Sequence, residues 1–277
     1  MSYDLYASLL KMHDTFRPGD AHMCLRIDFG GRDLAKLRKK YDLPAIAGEG
    51  NAFDRAVRMM DWLTTHVRHN GNCNPKGARC ALTALDFAFD QPEKGVNCAW
   101  LATTLTEMLL ALGIPARTVY IYPFAPYDCD NHVVTEVWTG ECWVMLDPTC
   151  NCYARDAAGQ LLGVMTLRAA LADRQEISFN ETLRYNGSEY SHEAHRDYLA
   201  KDLFYFRLQE HTGKAQSRFV TIAPEGYDPH RRDLLNIRYR LQVQGDQPWL
   251  RDWRRQVEKS QPVYAGVEAL MAPPQER

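Results

Sequence analysis

Apolar positions recur at helical spacing through the first part of the chain and at strand spacing after residue 115. Residues 52–69 predict a long helix, with Ala56, Met59, Met60, Leu63 and Val67 on one stripe. A shorter helix is expected at 33–41, and another at 80–89. Asn70-Gly71-Asn72 stops the long helix, and a loop with Pro75 and Gly77 follows. Residues 98–112 read as a further helix, its stripe formed by Leu101, Leu105, Met108, Leu109 and Leu112, closed by Gly113 and broken at Pro115. Beyond it, residues 117–122, 132–138 and 142–146 are rich in β-branched and aromatic side chains and predict strands. A short strand near Tyr153 and a helix at 166–173 come next. A helix is expected at 189–201, with strands at 204–209 and 218–222. The Pro-rich tail from Gly245 carries a basic helix-like patch at 251–259. Helices first and an antiparallel sheet after predict an α+β fold. A soft boundary is expected at Asn186-Gly187-Ser188. It separates a core at 79–186, with an N-terminal helical region at 1–78, from an extension at 187–277 within the same compact unit.

Composition narrows the class of partner more than the fold. Of 277 residues 45% are hydrophobic and 25% charged, the balance of an ordinary globular protein. Lys plus Arg number 33 against 35 Asp plus Glu, so nothing in the net charge points to nucleic acid or an anionic membrane. No apolar run approaches the ~18 residues needed to span a bilayer. Residues 1–14 read as a short amphipathic run carrying Asp4 and Lys11, not as a secretory leader. The eight cysteines (24, 73, 80, 98, 129, 142, 150 and 152) are scattered, which fits reduced thiols in a cytoplasm better than a disulfide framework.

Three residues carry candidate chemistry. Cys98 opens a predicted helix directly after Asn97, a favourable N-cap. The free N–H groups and the positive dipole end there favour a thiolate and can hold an oxyanion. Thr139-Gly140 is a turn signal between two strands. A two-residue hairpin centred on it makes the numbers of facing residues sum to 279, and His132 and Asp147 satisfy that sum. They would then face each other with Cβ atoms roughly 4.5–5.5 Å apart, close enough for a carboxylate to orient an imidazole. Taken singly, each has an ordinary reading: a small buried thiol, a strand-end histidine, an aspartate opening a turn. Their combination favours nucleophilic chemistry.

The runs Gly95-Val96-Asn97-Cys98-Ala99-Trp100-Leu101 and Leu112-Gly113-Ile114-Pro115-Ala116-Arg117-Thr118-Val119 resemble the nucleophile segment of the transglutaminase-like superfamily, in the manner of bacterial-type domain proteins. The run 131–138 (NHVVTEVW) is similar to its histidine strand, and 142–149 (CWVMLDPT) to its aspartate strand, in the expected order. The resemblance covers about residues 81–171. It implies a papain-like α+β core with Cys98 as nucleophile, His132 as base and later acid, and Asp147 as orienting carboxylate. It further implies attack on an amide carbonyl through a thioester, with transfer to an amine or to water, on a peptide or protein substrate and without a cofactor. Water is the expected acceptor, because no dedicated amine site is visible. Val133 departs from the small residue usual after the histidine, and no second oxyanion donor can be carried over. Arylamine acetyltransferase chemistry uses the same three residue types, but Gly95-Val96-Asn97 does not match its nucleophile context. A catalytically silent binding module is the alternative of another class.

Other constellations are weaker. His66, His69, Cys73 and Cys80 have the residue types of a zinc site but not a standard spacing, and no metal is expected. Cys150-Asn151-Cys152 is expected beside the site, and His192-Glu193-Ala194-His195 on a solvated face. Asp128 and Asp130 stand where they could act on His132 or on a basic substrate. Gly48-Glu49-Gly50 completes no phosphate loop. Of Tyr120, Tyr122, Phe124, Tyr127, Trp138, Trp143 and Tyr153, most are expected in the core and a few along a groove.

Overall fold

The computed structural model describes residues 3–19, 25–213 and 217–276. Helices α1 (Tyr3–Met12), α2 (Arg32–Lys40), α3 (Leu43–Ala47), α4 (Ala52–His66), α5 (Ala81–Asp90) and α6 (Cys98–Ala111) come first, with the two-residue strand β1 (Arg26–Ile27) between α1 and α2. Strands β2 (Ala116–Tyr122), β3 (His132–Trp138), β4 (Trp143–Leu146) and β5 (Ala154–Asp156) follow, then α7 (Val164–Ala172) and strands β6 (Ile177–Phe179), β7 (Arg184–Tyr185) and β8 (Ser188–Glu189). The rest comprises α8 (His192–Asp202), β9 (Tyr205–Gln209), β10 (His211–Thr212), β11 (Phe219–Ile222), α9 (Pro229–Gln244), α10 (Pro248–Lys259), β12 (Val263–Tyr264), α11 (Val267–Met271) and β13 (Gln275–Glu276). The α+β class expected from the sequence is observed.

The main sheet has six strands in the order β12-β11-β9-β2-β3-β4. Its neighbours pair antiparallel except the edge strand β12, which runs parallel to β11. A separate three-stranded parallel sheet, β10-β1-β13, lies outside the expected plan. Along β3, successive side chains serve opposite layers. Val137 belongs to the core formed with α2 to α6, and Thr135 Oγ1 donates to the Ala102 carbonyl of α6 at 3.0 Å. Val134 belongs to the other core, with Ile121, Met145 and residues of α7 and α8. Both faces of β3 are covered, and six of its seven residues are buried, the polar His132, Thr135 and Glu136 among them.

Side-chain caps account for several helix starts. Asn51 caps α4 by accepting the Asp54 N–H, and Ser191 caps α8 by accepting that of Ala194. Helix α4 ends at His66, three residues earlier than expected, because Val67 turns extended and His69 forms a parallel bridge to Val96. Helix α9 was not anticipated, although Asp228 before Pro229 is a cap-and-first-turn signature: Asp228 Oδ1 accepts the N–H groups of His230 and Arg231. The Asn186-Gly187 pair forms the tight turn of the β7–β8 hairpin, both residues having positive φ as such a turn requires. Among the described residues, no helix is long and apolar enough to cross a membrane. The seven described cysteines are free thiols; Cys24 lies outside the described residues.

Candidate active site

Cys98 occupies the first position of α6, the helix that packs on β2 and β3. Asn97 caps it, its side chain accepting the Trp100 N–H at 3.2 Å. The approach segment is fastened to the loop after α4: Val96 N–H donates to Arg68 O, Asn70 N–H to Val96 O, and Asn97 N–H to Cys73 O. Gly95 permits this contact. Its φ is +67°, and a Cβ there would come within 2.6 Å of the Arg68 carbonyl oxygen. The thiol position is therefore set by a cap, a glycine and three backbone hydrogen bonds.

His132 and Asp147 do meet, but not by the expected register. The β3–β4 ladder pairs Trp138 with Trp143, Val137 with Val144, and Thr135 with Leu146. The turn thus spans four residues, 139–142, and facing numbers sum to 281. Thr139 makes this larger turn, its N–H donating to Cys142 O and its Oγ1 accepting the Cys142 N–H. A slip of two residues keeps both side chains on the same face, whereas a slip of one would have parted them. His132 and Asp147 become diagonal neighbours, and the imidazole is long enough to close the gap. His132 Nε2 lies 2.8 Å from Asp147 Oδ2, and both side chains are buried.

The aspartate is itself held in place. Asp147 Oδ1 accepts the Thr149 N–H at 2.9 Å, and its backbone is bridged to Cys152. Burial alone would raise its carboxyl; the His132 imidazole, by charge and hydrogen bond, brings it instead to about 2. Burial likewise works against a charged His132. The charge and hydrogen bond of Asp147, then the Cys98 thiol, outweigh it and hold the imidazole well above its ordinary value. Nε2 is taken by Asp147, which leaves Nδ1 as the nitrogen for the thiol.

A cleft of ≈ 670 Å³ contains this group, with Cys98, His132, Val133, Thr149 and Cys150 in its lining. Its other walls come from elements that the sequence did not connect with the site. Tyr198 of α8 packs against the His132 ring with centroids 5.2 Å apart. Tyr185 and Tyr190 flank the cleft from the β7–β8 hairpin and the segment after it. That hairpin is docked on His69, whose N–H donates to Asn186 Oδ1 at 2.7 Å and whose Nδ1 lies 2.9 Å from Tyr185 Oη. Arg240 of α9 reaches the cleft too, while Asn236 of the same helix donates to the carbonyls of Pro126 and Asp128. Helix α9 thereby holds the loop that leads into His132. The one signal available was helical spacing, which puts Tyr198 on the His195 face of α8.

Several other sequence readings change in the structure. His195 is not on a solvated face: it is fully buried, with Nε2 3.7 Å from Asp147 Oδ2, because α8 turns that face onto the sheet. Cys150 is buried in the turn after Asp147, beside the site as expected. Asp128 and Asp130 do not contact His132; each pairs with Lys201 Nζ, at 3.3 and 3.1 Å. The His66–Cys80 group does not converge. His66 Nδ1 lies 2.8 Å from the Trp62 carbonyl and Cys80 Sγ 3.2 Å from Thr83 Oγ1. Val133, the departure from the family pattern, packs with Ala99 and Ala102 and lines the cleft. Of the aromatic residues weighed from sequence, Tyr120 also lines it, its hydroxyl accepting from Arg79 Nη1 at 2.7 Å.

No curated protein matches the chain. A candidate cysteine protease of Cytophaga hutchinsonii is 22% identical over 53% of this chain and 46% of its own, with a TM-score of 0.34. A candidate protease of Parabacteroides distasonis is 13% identical over 57% of this chain and 30% of its own, with a TM-score of 0.28. The chain spans less than half the length of either. The family model of the transglutaminase-like superfamily matches residues 39–148, a segment that starts upstream of the resembling motifs and ends just after Asp147. Over residues 39–148 the chain is similar to the transglutaminase-like superfamily.

Proposed function

We propose that the protein is a cysteine hydrolase acting on an amide bond of a peptide or protein, with Cys98 as nucleophile, His132 as base and acid, and Asp147 as orienting carboxylate. The observation that carries this reading is a thiol at the first turn of a capped helix, sharing a cleft with an imidazole bonded to a buried carboxylate. Cys98 Sγ attacks the carbonyl carbon, its proton having passed to His132. The tetrahedral oxyanion is held by the free N–H groups of the first turn of α6. His132 returns the proton to the leaving amine as the C–N bond breaks, giving a thioester on Cys98. Water, deprotonated by His132, then hydrolyses the thioester to the acid. Transfer to an amine differs only in the second step. A cytoplasmic setting fits the seven free thiols.

The test is to trap the acyl-enzyme. An activated ester or peptide amide should add one acyl group to Cys98, located by peptide mass spectrometry, with a burst of leaving group equal to the enzyme. Cys98→Ala should abolish the adduct, and His132→Ala should slow it by at least 100-fold, the scale of lost base catalysis. Acylation that persists in Cys98→Ala, or falls on another cysteine, would sink the reading. An unreactive Cys98 would favour the silent binding module.

A further inference from the structure

Beside the proposed reacting group stands a second cluster, which shares Asp147 with it and adds two residues that the mechanism does not use. Ligand atoms of Asp147, Cys150 and His195 all lie within 4.8 Å of one another, and all three residues are buried. His195 is the unusual member. Neither of its ring nitrogens has a hydrogen-bond partner, although the residue is 0% exposed. Buried polar atoms are almost always satisfied, so an imidazole left open on both sides, with Nε2 3.7 Å from a carboxylate oxygen, calls for a ligand. Phe179 and Tyr190 pack on its ring and fix its direction.

We propose that Asp147, Cys150 and His195 form a binding site for one divalent transition metal of the zinc or cobalt class. The donor set selects the metal: one thiolate, one imidazole and one carboxylate suit a borderline ion and give too few oxygens for calcium or magnesium. The spacing fits as well. Bonds of about 2.0–2.1 Å in a tetrahedron put nitrogen and oxygen donors roughly 3.3–3.4 Å apart; the observed separation is 3.7 Å and all three donors lie within 4.8 Å, so the ion draws them slightly together. The turn after Asp147 fixes two of the ligands three residues apart, the Cys150 N–H donating to Asp147 O at 3.3 Å. Thr149 and Cys150 line the cleft, so the ion has a path from solvent and the fourth position is left for water. On binding, Cys150 Sγ exchanges its proton for the metal and the proton passes to solvent. Asp147 Oδ2 cannot serve the ion and His132 fully at once, so a filled site competes with the His132–Asp147 bond. The site shares Asp147 with the proposed reaction, but its metal binding does not depend on that reading; only its effect on turnover rests on it.

Cobalt(II) is the probe. Titration of the whole protein should saturate at one ion, with a thiolate-to-cobalt absorption band and an intense tetrahedral visible spectrum, both displaced by zinc. Cys150→Ser should abolish the thiolate band, and His195→Gln should weaken binding at least 10-fold. Cys98→Ala should keep the band unchanged. Folding of each variant is checked by circular dichroism, and the wild type and Cys98→Ala, but not Cys150→Ser, should gain melting temperature on adding zinc. A band that survives Cys150→Ser and disappears in Cys98→Ala would overturn the proposal, as would the absence of any thiolate band. Zinc should also slow trapping of the acyl group on Cys98. Unchanged trapping beside an intact cobalt spectrum would leave the site standing and overturn its competition with His132.

Discussion

Arg117 and Glu136 offer the sharpest test of what holds the sheet that presents His132. They face each other across β2 and β3 and are only 3% and 2% exposed. Arg117 Nε and Nη2 donate to Glu136 Oε2 at 3.0 and 2.7 Å, and Nη2 also donates to the Leu270 carbonyl of α11. Glu136 Oε1 accepts the Val164 N–H at the start of α7 at 2.9 Å, and the guanidinium lies 3.9 Å from the Trp143 ring centroid. One pair therefore ties the sheet to two helices. Glu136→Gln keeps the shape and an acceptor for Val164 but leaves a buried guanidinium without its counter-charge. Breaking such a pair from one side costs about 3–5 kcal/mol. Arg117→Met leaves the carboxylate unpaired and should cost a similar amount. In the double variant neither charge remains, and the loss should fall short of the sum of the two by at least ~2 kcal/mol. Urea unfolding reads this directly. With a slope near ~3 kcal/mol per molar for a chain of this size, each single change should lower the midpoint by roughly 1–2 M. Single losses under about 1 kcal/mol, or strict additivity, would refute the view that this buried pair is a coupled unit.

Glu107 gives a pH-dependent test. Burial raises its carboxyl from an ordinary 4.5 to about 7, against the opposing Ala81 N–H bond. Its folded value lies above its unfolded one, so the stability it contributes is present below pH 4.5 and lost as pH rises to 7, by about 3 kcal/mol. Glu107→Gln should flatten urea-measured stability between pH 5 and 7.5; an unchanged slope would rule the group out. Gly95→Ala should destabilise by more than about 1 kcal/mol, since φ and the Arg68 carbonyl both oppose a Cβ, and should slow Cys98 alkylation. A variant that melts and alkylates like the wild type would contradict this. Asn97→Ala should cost about 1 kcal/mol in stability as the cap is lost, measured by thermal unfolding, and a change below a few tenths would show the cap to be idle.

The sequence by itself determined the features whose causes lie within a few residues. Asn97 before Cys98 is a cap whatever surrounds it, and the 3.6-residue stripe of α4 buries Ala56, Met59, Met60 and Leu63 as expected. Parity along β3 and β4 was also legible, and it was enough to put His132 and Asp147 on one face. The tertiary structure decided whatever depended on elements far apart in the chain. It chose the four-residue turn at 139–142, because pairing Trp138 with Trp143 stacks the two indoles edge to face. It buried His195 against Asp147, because α8 packs onto the sheet, which no local pattern in a mostly polar helix reveals. It brought Tyr185, Tyr190, Tyr198 and Arg240 to the cleft from segments up to 142 residues past Cys98. Caps and periodicity act through the chain's own backbone; clefts are made by packing distant surfaces, whose partners a single sequence does not specify.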